Sequence, residues 1–101
     1  MKLDHIALKS HDIKKSIEWY LKHLDGKTLY EDDSWGMIKV HNTVIAFVLP
    51  DNHQPHIAFS VNDVDDIPCV KSAIKEHRDG SLYHYKTDPF GNVIEWIHWP
   101  V

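Results

Sequence analysis

The strongest structural signal in this chain is the stretch Thr87-Asp88-Pro89-Phe90-Gly91-Asn92-Val93-Ile94-Glu95-Trp96-Ile97. Its first half predicts a tight turn, because Asp can bond its own backbone, Pro presets φ, and Gly-Asn tolerates the left-handed region. Its second half is rich in β-branched and aromatic residues, which favour a strand. The whole therefore predicts a hairpin that runs from Leu82–Thr87 into Val93–Trp99.

One residue of this hairpin breaks the pattern of a buried strand. Period-two alternation places Glu95 on the same face as Val93 and Ile97, so a carboxylate lies in an apolar row. A buried carboxylate is costly unless it is paired or bound to a metal. The partner of Glu95 therefore indicates what this carboxylate does.

Composition limits the classes of protein that need to be considered. The chain has 101 residues, 43% of them hydrophobic and 26% charged, as in an ordinary globular domain. Its formal charge of −4 argues against nucleic acid or an anionic membrane as a partner. The single cysteine, Cys69, excludes an intrachain disulfide and fits a reducing cytosol. No apolar run approaches the ~20 residues of a membrane span, and no signal peptide precedes the first strand. We expect one cytoplasmic domain over residues 1–101.

The first half of the chain predicts the order βαβββ. Alternation predicts a strand over Leu3–Lys9, and apolar residues from Ile13 to Leu24 fall at helical spacing. Ser10 and Asp12 are the candidate caps of that helix. Three further strands are predicted at Lys27–Glu31, Gly36–Val40 and Thr43–Leu49.

The second half repeats this order with one strand fewer. His56–Val61 alternates like a strand, and Asn62 or Asp63 can cap a helix whose apolar stripe runs from Val64 to Ile74. Pro68 falls early in that helix, where a missing donor is tolerated. Nothing strand-like separates His77 from Leu82, where the closing hairpin begins.

The two halves correspond residue by residue at their first strands. Asp4-His5-Ile6-Ala7-Leu8 matches Pro55-His56-Ile57-Ala58-Phe59, an internal repeat of about fifty residues. Helices on one side and sheet on the other indicate an α+β fold. We expect two βαβββ-type modules, residues 1–50 and 55–101, the second one strand short.

Three inward-facing residues form a candidate metal site. His5 and His56 occupy the same pleat phase of equivalent strands, and Glu95 faces inward from the closing strand. Two histidines and one carboxylate make a facial triad with open positions, suited to Fe, Mn, Ni, Co or Zn. Each residue alone has a simpler explanation, because an inward His is usually hydrogen-bonded in the core and an inward Glu salt-bridged, for example to Lys9.

These residues lie in motifs that resemble the vicinal oxygen chelate superfamily, which includes glyoxalases, bleomycin-resistance proteins, extradiol dioxygenases and fosfomycin-resistance thiol transferases. The resemblance covers essentially the whole chain, and the closing Asp-Pro-x-Gly-Asn-x-Ile-Glu pattern at Asp88–Glu95 is its most specific part. It implies two modules whose curled mixed sheet forms a cup around one divalent metal. It also implies ligands on the first and last strands of each module, which correspond to His5, His56 and Glu95.

The chain departs from this pattern at two places. Ala46 stands where four-ligand members carry Glu or Gln, so three protein ligands remain, as in the dioxygenase and thiol-transferase branches. The missing strand of the second module would be an edge strand, and its loss leaves a wall of the cup open or supplied by a second subunit. We therefore expect a homodimer.

Other candidate site residues carry weaker signals. Tyr83 and Tyr85 share a face of the strand next to that of Glu95 and could bind substrate or act as acid or base, although cross-strand packing explains them equally well. Trp35 and Phe47 fit the core better than the pocket. His84 and His98 face away from the site, and Cys69 is expected to be structural.

The resemblance implies a metal-dependent enzyme that acts on a small molecule chelating the metal through vicinal oxygens. The reaction would be of the isomerase, lyase or dioxygenase type, with Glu95, Tyr85 and Tyr83 as the candidate catalytic residues. The alternative is a metal-free binding or drug-sequestration module of the bleomycin-resistance type. A scaffold with a vestigial site is a third interpretation.

Overall fold

The computed structural model describes residues 1–100, which divide into two compact units. The first unit is His5–His56, and the second unit is Met1–Asp4 together with the chain from Ile57 onward. The division falls inside the first strand, whose first residues belong to the second unit and whose later residues belong to the first.

The first unit confirms the predicted order βαβββ. Its helix begins where Asp12 accepts a hydrogen bond from the Lys15 amide at 3.1 Å, so Asp12 is the N-cap. The elements are β1 (Lys2–Lys9), α1 (Ile13–His23), β2 (Gly26–Glu31), β3 (Trp35–Val40) and β4 (Thr43–Val48).

Helix α1 covers one face of these strands. The core beneath it consists of Ile13, Ile17, Ile38 and Phe47, each no more than 3% exposed. Gly36 allows the close approach of strand to helix, because a Cβ there would lie 2.7 Å from the Ile17 side chain. Burial of this apolar face is what holds an 11-residue helix in place, since so short a helix is marginal alone.

The opposite face of the first unit carries small side chains. Strands β1 and β4 are parallel, and Ala7 pairs with Ala46 in their register. These two alanines pack with Val48 and Met37 in a second buried cluster. Because side chains alternate along β1, His5 lies on the same face as Ala7.

The second unit has no helix to match α1 within the part of the chain that the structure describes. Strands β5 (His56–Ser60) and β8 (Val93–His98) are parallel, and β7 (Leu82–Thr87) joins β8 antiparallel, as the hairpin prediction required. A two-residue strand, β6 (Lys75–Glu76), pairs antiparallel with β7.

The helix predicted from Val64 to Ile74 is wrong. This segment forms two single-turn 3-10 helices, Val64–Asp66 and Lys71–Ala73. Pro68 is the cause, because a helix beginning after Asp63 would place the proline ring against the carbonyl of Val64. The residue before a proline is also pushed out of the helical region, and Ile67 has φ −71° and ψ 120°. Cys69 is therefore half-buried between the two turns rather than within a helix.

The second module is thus reduced in a different way from the one expected. It has four strands, as the first module does, but β6 has only two residues and precedes His77. What the second module lacks is the long helix.

In the described part of the chain, hydrogen bonding gives the strand order β2-β3-β4-β1-β5-β8-β7-β6, an eight-stranded mixed sheet with one α-helix. The expected α+β class is therefore confirmed. Within residues 1–100, no helix has the length and hydrophobicity that a membrane span requires.

Candidate functional site

The two predicted histidine ligands lie together in the first unit. The Nε2 atoms of His5 and His56 are 3.3 Å apart, and the two rings meet edge to face. His56 is only 9% exposed, and His5 is half-buried. The internal repeat therefore brings into contact two imidazoles that are 51 residues apart in sequence.

The protonation pattern of His56 follows from its second contact. Its Nδ1 lies 2.9 Å from the carbonyl oxygen of Gln54. A carbonyl can only accept, so Nδ1 carries the hydrogen, and in the neutral ring Nε2 presents its lone pair. A backbone carbonyl that fixes the tautomer in this way is the usual support of a metal-binding histidine.

Two arrangements satisfy a nitrogen–nitrogen distance of 3.3 Å. Either His5 donates a hydrogen bond from Nε2 to His56, or both nitrogens present lone pairs to one cation. Bonds of about 2.1 Å from an ion to each nitrogen are compatible with this separation. The separation of the two nitrogens therefore suits bonds to one ion.

Glu95 lies in the second unit and is 1% exposed. Its neighbours on the same face of β8, Val93 and Ile97, are also buried, as the alternation predicted. The Lys9 considered as a salt-bridge partner is exposed.

The contact that the sequence analysis missed is His77. Its Nε2 lies 2.7 Å from Oε2 of Glu95, and its side chain is 26% exposed. In the sequence, His77 follows the apolar stripe that ends at Ile74, with no reason to face Glu95. The need of Glu95 for a partner was the only signal, and it did not say which of the nine histidines would supply it.

Tyr85 is the second neighbour of Glu95 within this unit. The two residues are directly paired across β7 and β8. Burial raises the pKa of the Tyr85 phenol well above its ordinary value, and the negative charge of Glu95 acts in the same direction. Tyr85 therefore keeps its proton at neutral pH and hydrogen-bonds to the carboxylate.

Tyr83 contacts the same group of residues through its ring. It stacks on His77 with centroids 3.6 Å apart and an interplanar angle of 12°, and it meets Tyr85 edge to face at 5.2 Å. The structure thus gathers His77, Tyr83, Tyr85 and Glu95 into one cluster.

The histidines that were excluded from the site have other partners. Nδ1 of His84 lies 3.2 Å from the carbonyl of Ala73, and Nδ1 of His98 lies 3.2 Å from that of Val61. Phe47 is in the core under α1, and Trp35 stacks on Tyr30.

The strand registers identify equivalent positions in the two units. Two residues after His5, Ala7 pairs with Ala46, and two residues after His56, Ala58 pairs with Glu95. Both pairs are parallel and lie between the first and last strands of a module. Ala46 is therefore the counterpart of Glu95.

Comparison with known structures shows the same fold. A hypothetical protein from Bacillus halodurans C-125 matches with a TM-score of 0.73 at 15% identity, covering 99% of this chain and 95% of that one. A glyoxalase/bleomycin resistance protein/dioxygenase superfamily member from Vibrio splendidus 12B01 matches with a TM-score of 0.70 at 14% identity, covering 96% and 98%. At such identities the likeness concerns the fold alone.

Sequence comparison gives the family. No curated protein matches the chain. The model of the Glyoxalase/Bleomycin resistance protein/Dioxygenase superfamily matches residues 2–96, nearly the whole chain. The protein therefore belongs to the glyoxalase/bleomycin resistance protein/dioxygenase superfamily.

Proposed function

We propose that this protein is a divalent-metal-dependent enzyme whose ligands are His5, His56 and Glu95. Its substrate is a small molecule that binds the metal through two adjacent oxygens, and its reaction is of the isomerase/lyase or dioxygenase type. The His5–His56 contact carries the proposal, because its 3.3 Å separation and the Gln54 hydrogen bond suit two imidazoles that share one ion.

The chemistry of the donors supports this assignment. The candidate ligand set is two imidazoles and one carboxylate, which suits Fe, Mn, Ni, Co or Zn. When bound, the metal would supply a Lewis acid for an enolate or oxyanion, or a centre that activates oxygen.

The protein's own residues would orient and enclose the reacting groups. Ala46, the counterpart of Glu95, has no donor, so the protein supplies three ligands and leaves other positions to substrate oxygens. Tyr85 keeps its proton because of burial and the Glu95 charge, so it serves as a hydrogen-bond donor rather than as a base. Tyr83, half-buried beside it, is the more suitable contact for substrate.

A metal-free binding module is the second candidate, and one observation favours it. His77 places a donor 2.7 Å from Glu95, which would satisfy the buried carboxylate without an ion. A hydrogen bond between His5 and His56 would likewise satisfy both rings. Under this alternative the protein sequesters a small molecule, as bleomycin-resistance proteins do.

Metal analysis separates these two candidates. Protein purified without chelator and without a histidine tag should carry about one divalent ion per chain, and His56→Ala should lose it while remaining folded. His53→Ala is the matched control, because His53 is exposed and only three residues away. Full metal occupancy in His56→Ala, or none in the wild type, would contradict the proposal.

We further propose that the chain forms a cytoplasmic homodimer. The strand order ends at β2, which is exposed along its whole length, and at β6, which has two residues. Open edges of a sheet are usually paired or blocked. The one cysteine, Cys69, is free and suits a reducing compartment. Light scattering at micromolar concentration should give the dimer mass, and a monomer would contradict this proposal.

A further inference from the structure

We propose that His77 is a positioning residue for the metal ligand Glu95, holding the carboxylate through Oε2 in the orientation in which it would bind the ion. This inference rests on the proposed function. It assigns a role to a residue that the family's ligand pattern does not include.

The backbone fixes His77 from both sides. Lys75 and Glu76 pair with Tyr83 and Leu82 in the β6–β7 ladder. The His77 amide then donates to the Ser81 carbonyl at 2.8 Å, and its own carbonyl accepts from the Gly80 amide at 3.0 Å. The short strand β6 and the following turn therefore hold one imidazole in a defined place.

The turn itself is closed by two special residues. Gly80 has φ +92°, a left-handed conformation that glycine adopts without strain. Asp79 accepts hydrogen bonds from the Ser81 amide at 2.9 Å and from its hydroxyl at 2.6 Å. Ser81 is fully buried. These contacts leave little freedom for the chain on the C-terminal side of His77.

The ring of His77 is fixed as firmly as its backbone. It lies flat on Tyr83, with centroids 3.6 Å apart, and stacking of this kind sets the plane of the imidazole. The edge of the ring then directs Nε2 at Oε2 of Glu95. A buried carboxylate that accepts a charge-assisted hydrogen bond from His77 beside the one from Tyr85 has a defined orientation, which a metal ligand needs.

Two other roles for His77 are distinct from this one. His77 could itself be a ligand, or it could merely neutralise a buried charge in a metal-free protein. The three roles predict different metal binding in two kinds of variant. One variant keeps a ring at position 77 without the hydrogen-bond donor, and the other keeps a donor without the ring.

The experiment uses His77→Phe, which keeps a ring on Tyr83 without the donor, and His77→Gln, which keeps an N–H donor without the ring. His84→Phe is the matched control, because His84 is half-buried on β7 and bonds to the Ala73 carbonyl. Co²⁺ is added to each protein freed of metal. Its affinity is measured by calorimetry, its coordination by visible absorption, and folding by thermal melting.

We expect His77→Phe to lose about tenfold to a hundredfold in Co²⁺ affinity, the usual effect of removing the support of a ligand, with a shifted Co²⁺ spectrum. His77→Gln should keep most of the affinity and the wild-type spectrum, and His84→Phe should change neither. Wild-type affinity and spectrum in His77→Phe would overturn the inference. A spectrum in both variants showing one nitrogen donor fewer would instead make His77 a ligand.

Different Co²⁺-binding results would contradict the role of His77 and the metal-dependent function. A wild-type protein that takes up no Co²⁺ contradicts the metal-dependent function and with it the role of His77. A wild-type protein that binds Co²⁺ while His77→Phe binds it equally well contradicts only the role of His77. If His77→Phe does not fold, a loss of affinity or a shifted spectrum in His77→Gln overturns the inference, and their retention supports it.

Discussion

The two units build equivalent strands but cover them differently. In the first unit, α1 packs on the sheet and Phe47 is 1% exposed. In the second unit, the position equivalent to Phe47 is Trp96, which is half-buried and has the Lys86 ammonium 5.9 Å from its ring. Ile57, on the first strand of this unit, is 43% exposed, and Val70 is 70% exposed. The apolar face that a helix would cover is thus only partly covered.

On the face of the sheet opposite α1, the second unit has the more elaborate packing. The first unit has Ala46 where the second has Glu95, and the second surrounds that carboxylate with His77, Tyr83 and Tyr85. In the second unit the segment that corresponds to α1 forms two 3-10 turns, and β6 and the turn that holds His77 come after it. This fold therefore keeps its candidate ligands on strands, so that a helix can be lost while the ligands remain and Glu95 gains neighbours.

We expect the largest loss of stability from a substitution in the face of the sheet that α1 covers. Phe47→Ala removes a fully buried ring beneath α1 and should lower the free energy of unfolding by about 3–5 kcal/mol. Trp96→Ala should cost less, because its ring is only half-buried. Urea unfolding of both variants measures the difference, with Phe90→Ala, at 91% exposure, as the control. Equal losses for Phe47 and Trp96 would show that the missing helix does not weaken the second unit.

The second prediction concerns the cause of the missing helix. Pro68→Ala removes a penalty of about 3 kcal/mol for a helical conformation at this position. We expect helical circular dichroism at 222 nm to rise, because Val64–Ile74 can then extend its first turn. Cys69→Ala is the control, since it raises helix propensity beside the proline without removing it. An unchanged spectrum in Pro68→Ala would place the cause in the β-branched and acidic residues instead.

We expect the smallest change in free energy, in this case of Co²⁺ binding, from a substitution that makes the two units alike at the candidate site. Ala46→Glu gives the first unit the residue of the second, and we expect Co²⁺ to bind about tenfold more tightly, or ~1.4 kcal/mol. Any reaction that needs an open metal position should slow. Ala46→Leu, which adds volume without a donor, is the control. Unchanged Co²⁺ affinity in a folded Ala46→Glu would show that this side chain does not reach the ion.

Local sequence determined most of the first unit and the strands of the second. Apolar spacing and Asp12 predicted α1, because a helix of this kind is set by periodicity and by its cap. Alternation predicted that Glu95 would be buried, since the pleat fixes the face of every second residue. The Pro68 error was also local, because the clash with the Val64 carbonyl could have been read from the sequence.

Only the tertiary structure decided which side chains meet. The contact between His5 and His56 joins residues 51 apart, and that between His77 and Glu95 joins residues 18 apart. Pleat phase says which face a residue occupies, but not how far along a neighbouring strand its partner lies. The β6–β7 register and the turn at Gly80 place His77, and neither follows from periodicity. The sequence therefore indicates that a buried carboxylate needs a partner, whereas the strand register and the turn determine that this partner is His77.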